Sequence, residues 1–457
     1  MRSLLLLALA PIACQISDAA PSADKGYKRP PSPPSNAPII ERGEGCGSEM
    51  ASDRVRGGGP GGMPSRAEKT MAPRTAEAAD GRAAPAPMQQ PNGVRAGEWD
   101  DNANYRDYVK WLAASQIKGK LDVAARQFLV VTDKDGKGVP NCPIEVRGGA
   151  AKVTLVTGAS GRALLFPHAM GLGDFELSVS AMCPNATATA KIAPKTVDGL
   201  VKLPLDIARD LPAARTVDLA FVLDTTGSMQ EEIAAVKQTI GAVANQLSSA
   251  QTNVRIGLVE YKDRSDCLLT RTFPFSSDLA AFARSTANIT ADGGGDMPED
   301  MHAGLAAALD KLQWRKEATA RMIVVIADAP PQFYGNERHY DDIARRAASR
   351  GIKLYTVAAS GMDDQGQVVM RQMAAFTGAS NMFVLRGGAG PQSVGGGDPK
   401  SSCGGTHADY ASGKLDQLIM RKVRQELASV DADPLKIPGR GQDENAKPCD
   451  QRMVVAN

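Results

Sequence analysis

Aromatic residues make up only 5% of this 457-residue chain. Histidines number four (His168, His302, His339, His407), too few and too dispersed to build a metal centre, and they read as solvated or capping residues. Charge of one sign is missing too. The formal net charge of +2 predicts neither a nucleic-acid footprint nor a strong preference for acidic partners. No two of the seven cysteines form a Cys-x-x-Cys pair, which argues against a thiolate zinc site. Hydrolase signatures are also absent: the chain has no Gly-x-Ser-x-Gly elbow and no His-Glu-x-x-His helix. What remains is an ordinary apolar content of 43% and enough length for two or three domains, at ~150 residues each.

The N-terminus reads as an address in residues 1–20. Met1-Arg2 precedes the apolar run Leu4–Ala13, about the length of a secretory signal core and too short to span a bilayer. The run ends Pro11-Ile12-Ala13-Cys14. This resembles a bacterial lipobox, which implies lipidation of Cys14 and a membrane anchor, although Pro11 departs from the usual aliphatic residue. Cleavage near Ala19-Ala20, giving a soluble exported chain, is the alternative. Either reading places the protein in the cell envelope, the periplasm or the medium. Without Cys14 six cysteines remain, an even number that suggests disulfides in an oxidising compartment. Cys142 and Cys183 are the natural pair, because both fall in one small domain. Cys267 is a candidate to tether the Gly387–Gly405 segment that carries Cys403, and the pairing of Cys46 and Cys449 stays open.

Residues 21–93 are Pro, Gly, Ala, Ser and Arg with almost no apolar periodicity, so they read as a disordered tether. The Gly57–Gly62 cluster is no phosphate loop, since no strand precedes it and no Gly-Lys-Ser/Thr closes it. Residues 94–124 read as a helical docking segment. Tyr105, Tyr108, Val109 and Leu112 recur at helical spacing, with Asp101 or Asn102 as cap. Residues 125–206 show short strands with turn signals at the spacing of a small β-sandwich. The Asp133–Gly138 turn, Val-Pro-Asn-Cys-Pro and Thr-Gly-Ala-Ser-Gly-Arg resemble transthyretin-like or carboxypeptidase-regulatory-like modules of exported proteins.

From 214 to 430 the period changes, with 431–457 left as a tail. Apolar strands at Val217–Leu223, Val254–Tyr261, Met322–Ala327, Lys353–Val357 and Met382–Leu385 alternate with helical stretches. The pattern predicts an α/β fold with a doubly wound, mostly parallel sheet, which binds ligands at the carboxyl ends of its strands.

Three loops lie at that edge. Asp224-Thr225-Thr226-Gly227-Ser228 directly follows an apolar strand and opens a helix. One carboxylate and two hydroxyls at alternate positions suit a hard, octahedral cation such as Mg²⁺. This run, with Met229 as its sixth residue, in that strand–helix context resembles the von Willebrand factor type A family and its metal-ion-dependent adhesion site, over about 215 residues. The resemblance implies that Asp224, Thr226 and Ser228 hold Mg²⁺ (or Mn²⁺ or Ca²⁺) and present it to a carboxylate on a protein ligand. Asp296-Met297-Pro298-Glu299 looks like the acid-x-Pro-Glu loop of integrin β-subunit domains, and it supplies Asp296 or Glu299, without a choice between them. Asp328, ending the central strand, takes the place of the family's third aspartate. Glu231 and Glu232 sit where integrin β domains build an adjacent site, but acids are favoured in a first helical turn anyway. The expectation is therefore a binding module and not an enzyme. The alternatives are a structural scaffold with an incidental metal, and more remotely a metal-dependent hydrolase.

Overall fold

A computed structural model describes residues 37–46, 94–117, 119–212, 214–249, 253–295, 297–335, 340–359, 362–384 and 411–440. Cys14, Asp296, Cys403 and Cys449 lie outside them.

The strands, in chain order, are β1 Ile39–Arg42, β2 Arg95–Trp99, β3 Gln127–Thr132, β4 Pro143–Gly148, β5 Ala151–Val156, β6 Arg162–Leu165, β7 Leu177–Cys183, β8 Ala186–Ile192, β9 Gly199–Pro204, β10 Thr216–Asp224, β11 Asn253–Tyr261, β12 Leu268–Ser276, β13 Ala320–Ala327, β14 Lys353–Ala358, β15 Asn381–Val384 and β16 Ala411–Lys414. The α-helices are α1 Tyr105–Ala114, α2 Ile233–Ser249, α3 Leu279–Thr286, α4 Met301–Asp310, α5 Tyr340–Ala348, α6 Asp364–Phe376 and α7 Leu415–Ser429.

A nine-stranded sheet runs β1-β12-β11-β10-β13-β14-β15-β2-β16. Its centre, β11-β10-β13-β14-β15, is parallel. Both flanks are antiparallel. The sheet is thus mixed, and the expectation of a mostly parallel one holds for its middle alone. β10 is buried from Val217 to Asp224 and β13 along its whole length. Strands covered on both faces read as unbroken apolar runs. Val217, Leu219, Phe221 and Leu223 pack with α2, α3 and α7, whereas Ala220 and Val222 share a core with α4, α5 and α6. Alternate residues of a strand point to opposite faces, so one apolar strand serves two layers of helices.

Two expected boundaries need correction. Residues 39–42, inside the expected tether, form edge strand β1 against β12. Residues 95–99, expected to lead into a docking helix, form β2, wedged between β15 and β16. Neither segment carries a strand's apolar alternation. Their order comes from backbone pairing with partners more than two hundred residues away. Asp101, read as a helix cap, instead bonds Arg371 at 2.5 and 2.9 Å in a pair with almost no exposure. The Arg371 guanidinium lies 3.9 Å from the Trp111 ring and 4.3 Å from that of Trp99, which fixes α1 against α6.

Residues 127–204 form a three-stranded sheet, β6-β3-β9, and a four-stranded one, β5-β4-β7-β8. Cys142 and Cys183 are joined by a disulfide there. Cys267 is bonded to Cys46 and so tethers the N-terminal segment, not the Gly387–Gly405 region. Arg162 donates to the carbonyls of Asp433, Pro434 and Lys436 at 2.7–2.9 Å, which docks the start of the expected tail onto these strands. Among the described residues no helix is long and apolar enough to cross a membrane.

Candidate functional site

The carboxyl ends of β10 and β13 and the loop before α4 meet at one place. β10 ends in Asp224, in register with Tyr261 of the neighbouring parallel strand. After Asp224 the chain turns through Thr226 into a short 3-10 turn, Gly227–Glu231, so the hydroxyls of Thr226 and Ser228 come back over the strand end. Thr226 donates to Asp224 Oδ1 from its amide (3.0 Å) and its hydroxyl (2.8 Å). Its Oγ1 stands 3.1 Å from Ser228 Oγ, which donates to Asp328 Oδ1 at 3.0 Å. Asp224, Thr226, Glu299 and Asp328 are buried, while Ser228 is exposed, so the cluster opens to solvent at Ser228.

The second loop is held to the first by backbone. Gly227 donates to the Gly293 carbonyl (2.9 Å) and Asp292 to that of Thr225 (3.1 Å). Lys262, nearly buried, donates to the Thr225 carbonyl and to Asp292 Oδ1, both at 2.7 Å. Gly294, at φ +63°, passes so close that a Cβ would lie 2.9 Å from Glu299 Oε1 and 3.0 Å from Thr226 Cβ. Only glycine fits this left-handed close approach. Glu299 is thereby brought to the cluster, its amide donating to the Pro330 carbonyl at 3.1 Å. Of the two acids left open by the sequence, Glu299 is placed here and Asp296 lies outside the described residues.

The electrostatics are those of crowded acids. Burial, then the charge of Asp328, pushes Asp224 up to about 7 against its bonds from Thr226 and Tyr261. Burial, then the carboxylates of Asp224, Asp263 and Asp266, pushes Glu299 up to about 8. Burial raises Asp328 as well. Glu299 Oε2 is buried without a hydrogen-bond partner among the described residues. Carboxylates alone do not make a metal centre here, because no three Asp, Glu, His or Cys side chains are grouped for it among the described residues. With the two hydroxyls included, the set is all oxygen, which suits Mg²⁺ or Mn²⁺.

Glu232, which closes the 3-10 turn, is buried. Sequence reasoning missed Tyr261, whose hydroxyl donates to Asp224 Oδ2 at 3.3 Å, and Lys262. Their signal was the end of a strand parallel to β10. It missed Asp266 as well, which accepts the Gly294 amide, and no local pattern marks that residue.

Residues 218–387 match the family model described as von Willebrand factor type A domain. Alpha-protein kinase vwkA of Dictyostelium discoideum is 36% identical over 147 residues, covering 31% of this chain and 23% of that protein. The putative ariadne-like RING finger protein R811 of Acanthamoeba polyphaga mimivirus is 33% identical, over 28% of this chain and 12% of its own length. Mouse matrilin-3 is 27% identical, over 38% of this chain and 35% of its own. The chain thus spans about a third or less of each of these relatives. A solved structure, proximal thread matrix protein 1 of the mussel byssus, is 13% identical with a TM-score of 0.29, covering 36% of this chain and 41% of that one. None of these three relatives is bacterial, so they lend no support to a lipobox or to a bacterial transthyretin-like module. A strand-end Asp-x-Thr-x-Ser loop over a doubly wound sheet, together with the family match, identifies residues 218–387 as a von Willebrand factor type A domain.

Proposed function

We propose that Asp224, Thr226, Ser228, Glu299 and Asp328 hold one divalent cation, Mg²⁺ or Mn²⁺, through which the domain binds a protein ligand offering a carboxylate. The observation that carries this reading is Glu299, a carboxylate 2% exposed, among like charges, with one oxygen lacking any partner among the described residues. Acids crowded in a low dielectric repel, and a cation between them removes both the repulsion and the orphaned lone pairs. When bound, the ion would act as a Lewis acid with coordination positions open toward solvent. Asp224 and Glu299 would supply charge, Thr226 and Ser228 neutral donors, and Asp328 would orient Ser228. Asp296 is a further candidate ligand on the second loop.

Binding is favoured over catalysis because Ser228, the exposed hydroxyl of the first loop, is itself a member of the proposed metal set, 3.1 Å from Thr226 Oγ1. Export is supported by two cross-links, Cys46–Cys267 and Cys142–Cys183, since disulfides persist in oxidising compartments. A lipid anchor at Cys14 is not part of the proposal.

Calorimetric titration of Mg²⁺ and Mn²⁺ into the wild type and Glu299→Gln tests the site. Saturable binding, weakened by Glu299→Gln, is expected. An aspartate-containing peptide should then be retained by the immobilised protein with Mg²⁺ and released by a chelator. No metal binding to the folded wild type would end the adhesion reading, and metal binding without peptide retention would leave a scaffold with an incidental ion.

A further inference from the structure

The hairpin joining β11 to β12 lies between an N-terminal strap and the candidate site. Residues 43–46 run on from β1 across this hairpin, and two glycines let them lie flat on it. A Cβ at Gly43 would stand 2.2 Å from the Asp266 carbonyl oxygen, and one at Gly45 2.2 Å from that of Ser265. The Gly43 amide donates to the Cys267 carbonyl (3.1 Å) and the Glu44 amide to that of Arg264 (2.8 Å). The Cys46–Cys267 disulfide then locks the strap across 221 residues of sequence.

The other side of the same hairpin reaches the site. Asp266 accepts the Gly294 amide through Oδ1 (3.1 Å) and Oδ2 (2.9 Å), and its Oδ2 also accepts the Asp263 amide (3.2 Å). Gly294 is the residue that abuts Thr226 and Glu299, and the Gly293 carbonyl accepts the Gly227 amide. Strap, hairpin, second loop and first loop are therefore linked in series.

We propose that Asp266 is a positioning residue for the candidate site and that the Gly43–Cys46 strap, fastened at Cys267, holds it in place. Asp266 acts through Gly294: it fixes the left-handed turn that sets Glu299 against Thr226. A segment that composition assigns to a tether thus becomes part of the site's support. The metal arm of the test rests on the reading proposed above, and the exchange arm does not.

Amide hydrogen exchange in the metal-free protein reads the loop directly. The Gly227 and Gly294 amides should be protected in the wild type. They should exchange faster in Cys46→Ser/Cys267→Ser and in Asp266→Ala, while amides of β10 and β13 stay protected. Asp266→Ala leaves disulfide and strap intact, so it carries the test if the cysteine variant does not fold. Mn²⁺ affinity should fall about tenfold in both, within the range for groups that orient metal ligands. Asp266→Asn should restore most of it, because one oxygen at the Oδ2 position serves both amides. Unchanged exchange in folded variants would overturn the proposal, as would, where the wild type binds Mn²⁺, Asp266→Asn binding it no better than Asp266→Ala. Faster exchange with no Mn²⁺ binding even by the wild type would support the strap and reject the metal reading.

Discussion

β10 carries a buried aspartate near each end, and the two stand in opposite surroundings. Asp218, fully buried, accepts from Arg255 (Nε 3.0 Å, Nη2 2.6 Å) and from Arg315 (Nε 2.8 Å, amide 2.7 Å). Asp224, equally buried, has two contacts from Thr226, one from Tyr261 and the carboxylate of Asp328 nearby. At the amino end the protein supplies its own cations, and the acid is structural. At the carboxyl end it supplies hydroxyls and further acids, an arrangement that, on the reading proposed above, a cation from outside would complete. Burial and residue type are the same, so the sign of the neighbours separates a strut from a candidate binding site.

The largest expected effect is at the strut. Asp218→Ala leaves two guanidinium groups without their shared partner and should destabilise by about 3 kcal/mol, the lower end for breaking a buried pair, because both arginines are partly exposed. Urea denaturation measures this, and a loss under about 1 kcal/mol would erase the contrast between the two ends.

Asp224→Ala should act the other way round. Its Mn²⁺ affinity should fall by more than about a hundredfold, beyond the usual cost of losing an outer partner of a metal ligand. In chelator at neutral pH the variant should be no less stable than the wild type, since it removes a carboxyl that burial and Asp328 push up to about 7. Calorimetry with parallel denaturation checks both halves, and a variant destabilised in chelator would mark Asp224 as another strut.

The same repulsion sets a pH dependence for the metal-free protein. Asp224 and Glu299 rise from 3.8 and 4.5 to about 7 and about 8 on folding. The folded state therefore holds protons that the unfolded state has released. Stability should be fullest below about pH 4, fall as pH rises through the two folded values, and level off above them. Mn²⁺ must displace those protons, so its affinity should climb over the upper part of that window. Melting temperature against pH, with and without Mn²⁺, gives the two curves, and parallel curves would reject the linkage.

Tyr261→Phe should have the smallest effect. Its bond to Asp224 Oδ2 is long, at 3.3 Å, so its loss should weaken Mn²⁺ binding about two- to threefold, the equivalent of roughly 0.5 kcal/mol. A larger loss by calorimetry would make Tyr261 a principal support of the loop.

The sequence by itself determined the layered α/β middle of the sheet and the strand ends where the acids converge. Both signals are local: unbroken apolar runs at β10 and β13, and an Asp-x-Thr-x-Ser run placed where a strand stops and a helix starts. Asp328 was legible for the same reason, and Glu299 only as one of two acids on the second loop, Asp296 being the other, each lying next to an element that periodicity locates. Tertiary structure alone decided the width of the sheet, because β1 and β2 are four and five residues long and gain their order from pairing with β12, β15 and β16. It alone decided the Cys46–Cys267 link, the Asp101–Arg371 pair and the grip of Asp266 on Gly294. Backbone pairing between strands needs no side-chain period, and a carboxylate accepts an amide from any distance along the chain. Contacts of that kind leave no pattern in a window of neighbouring residues.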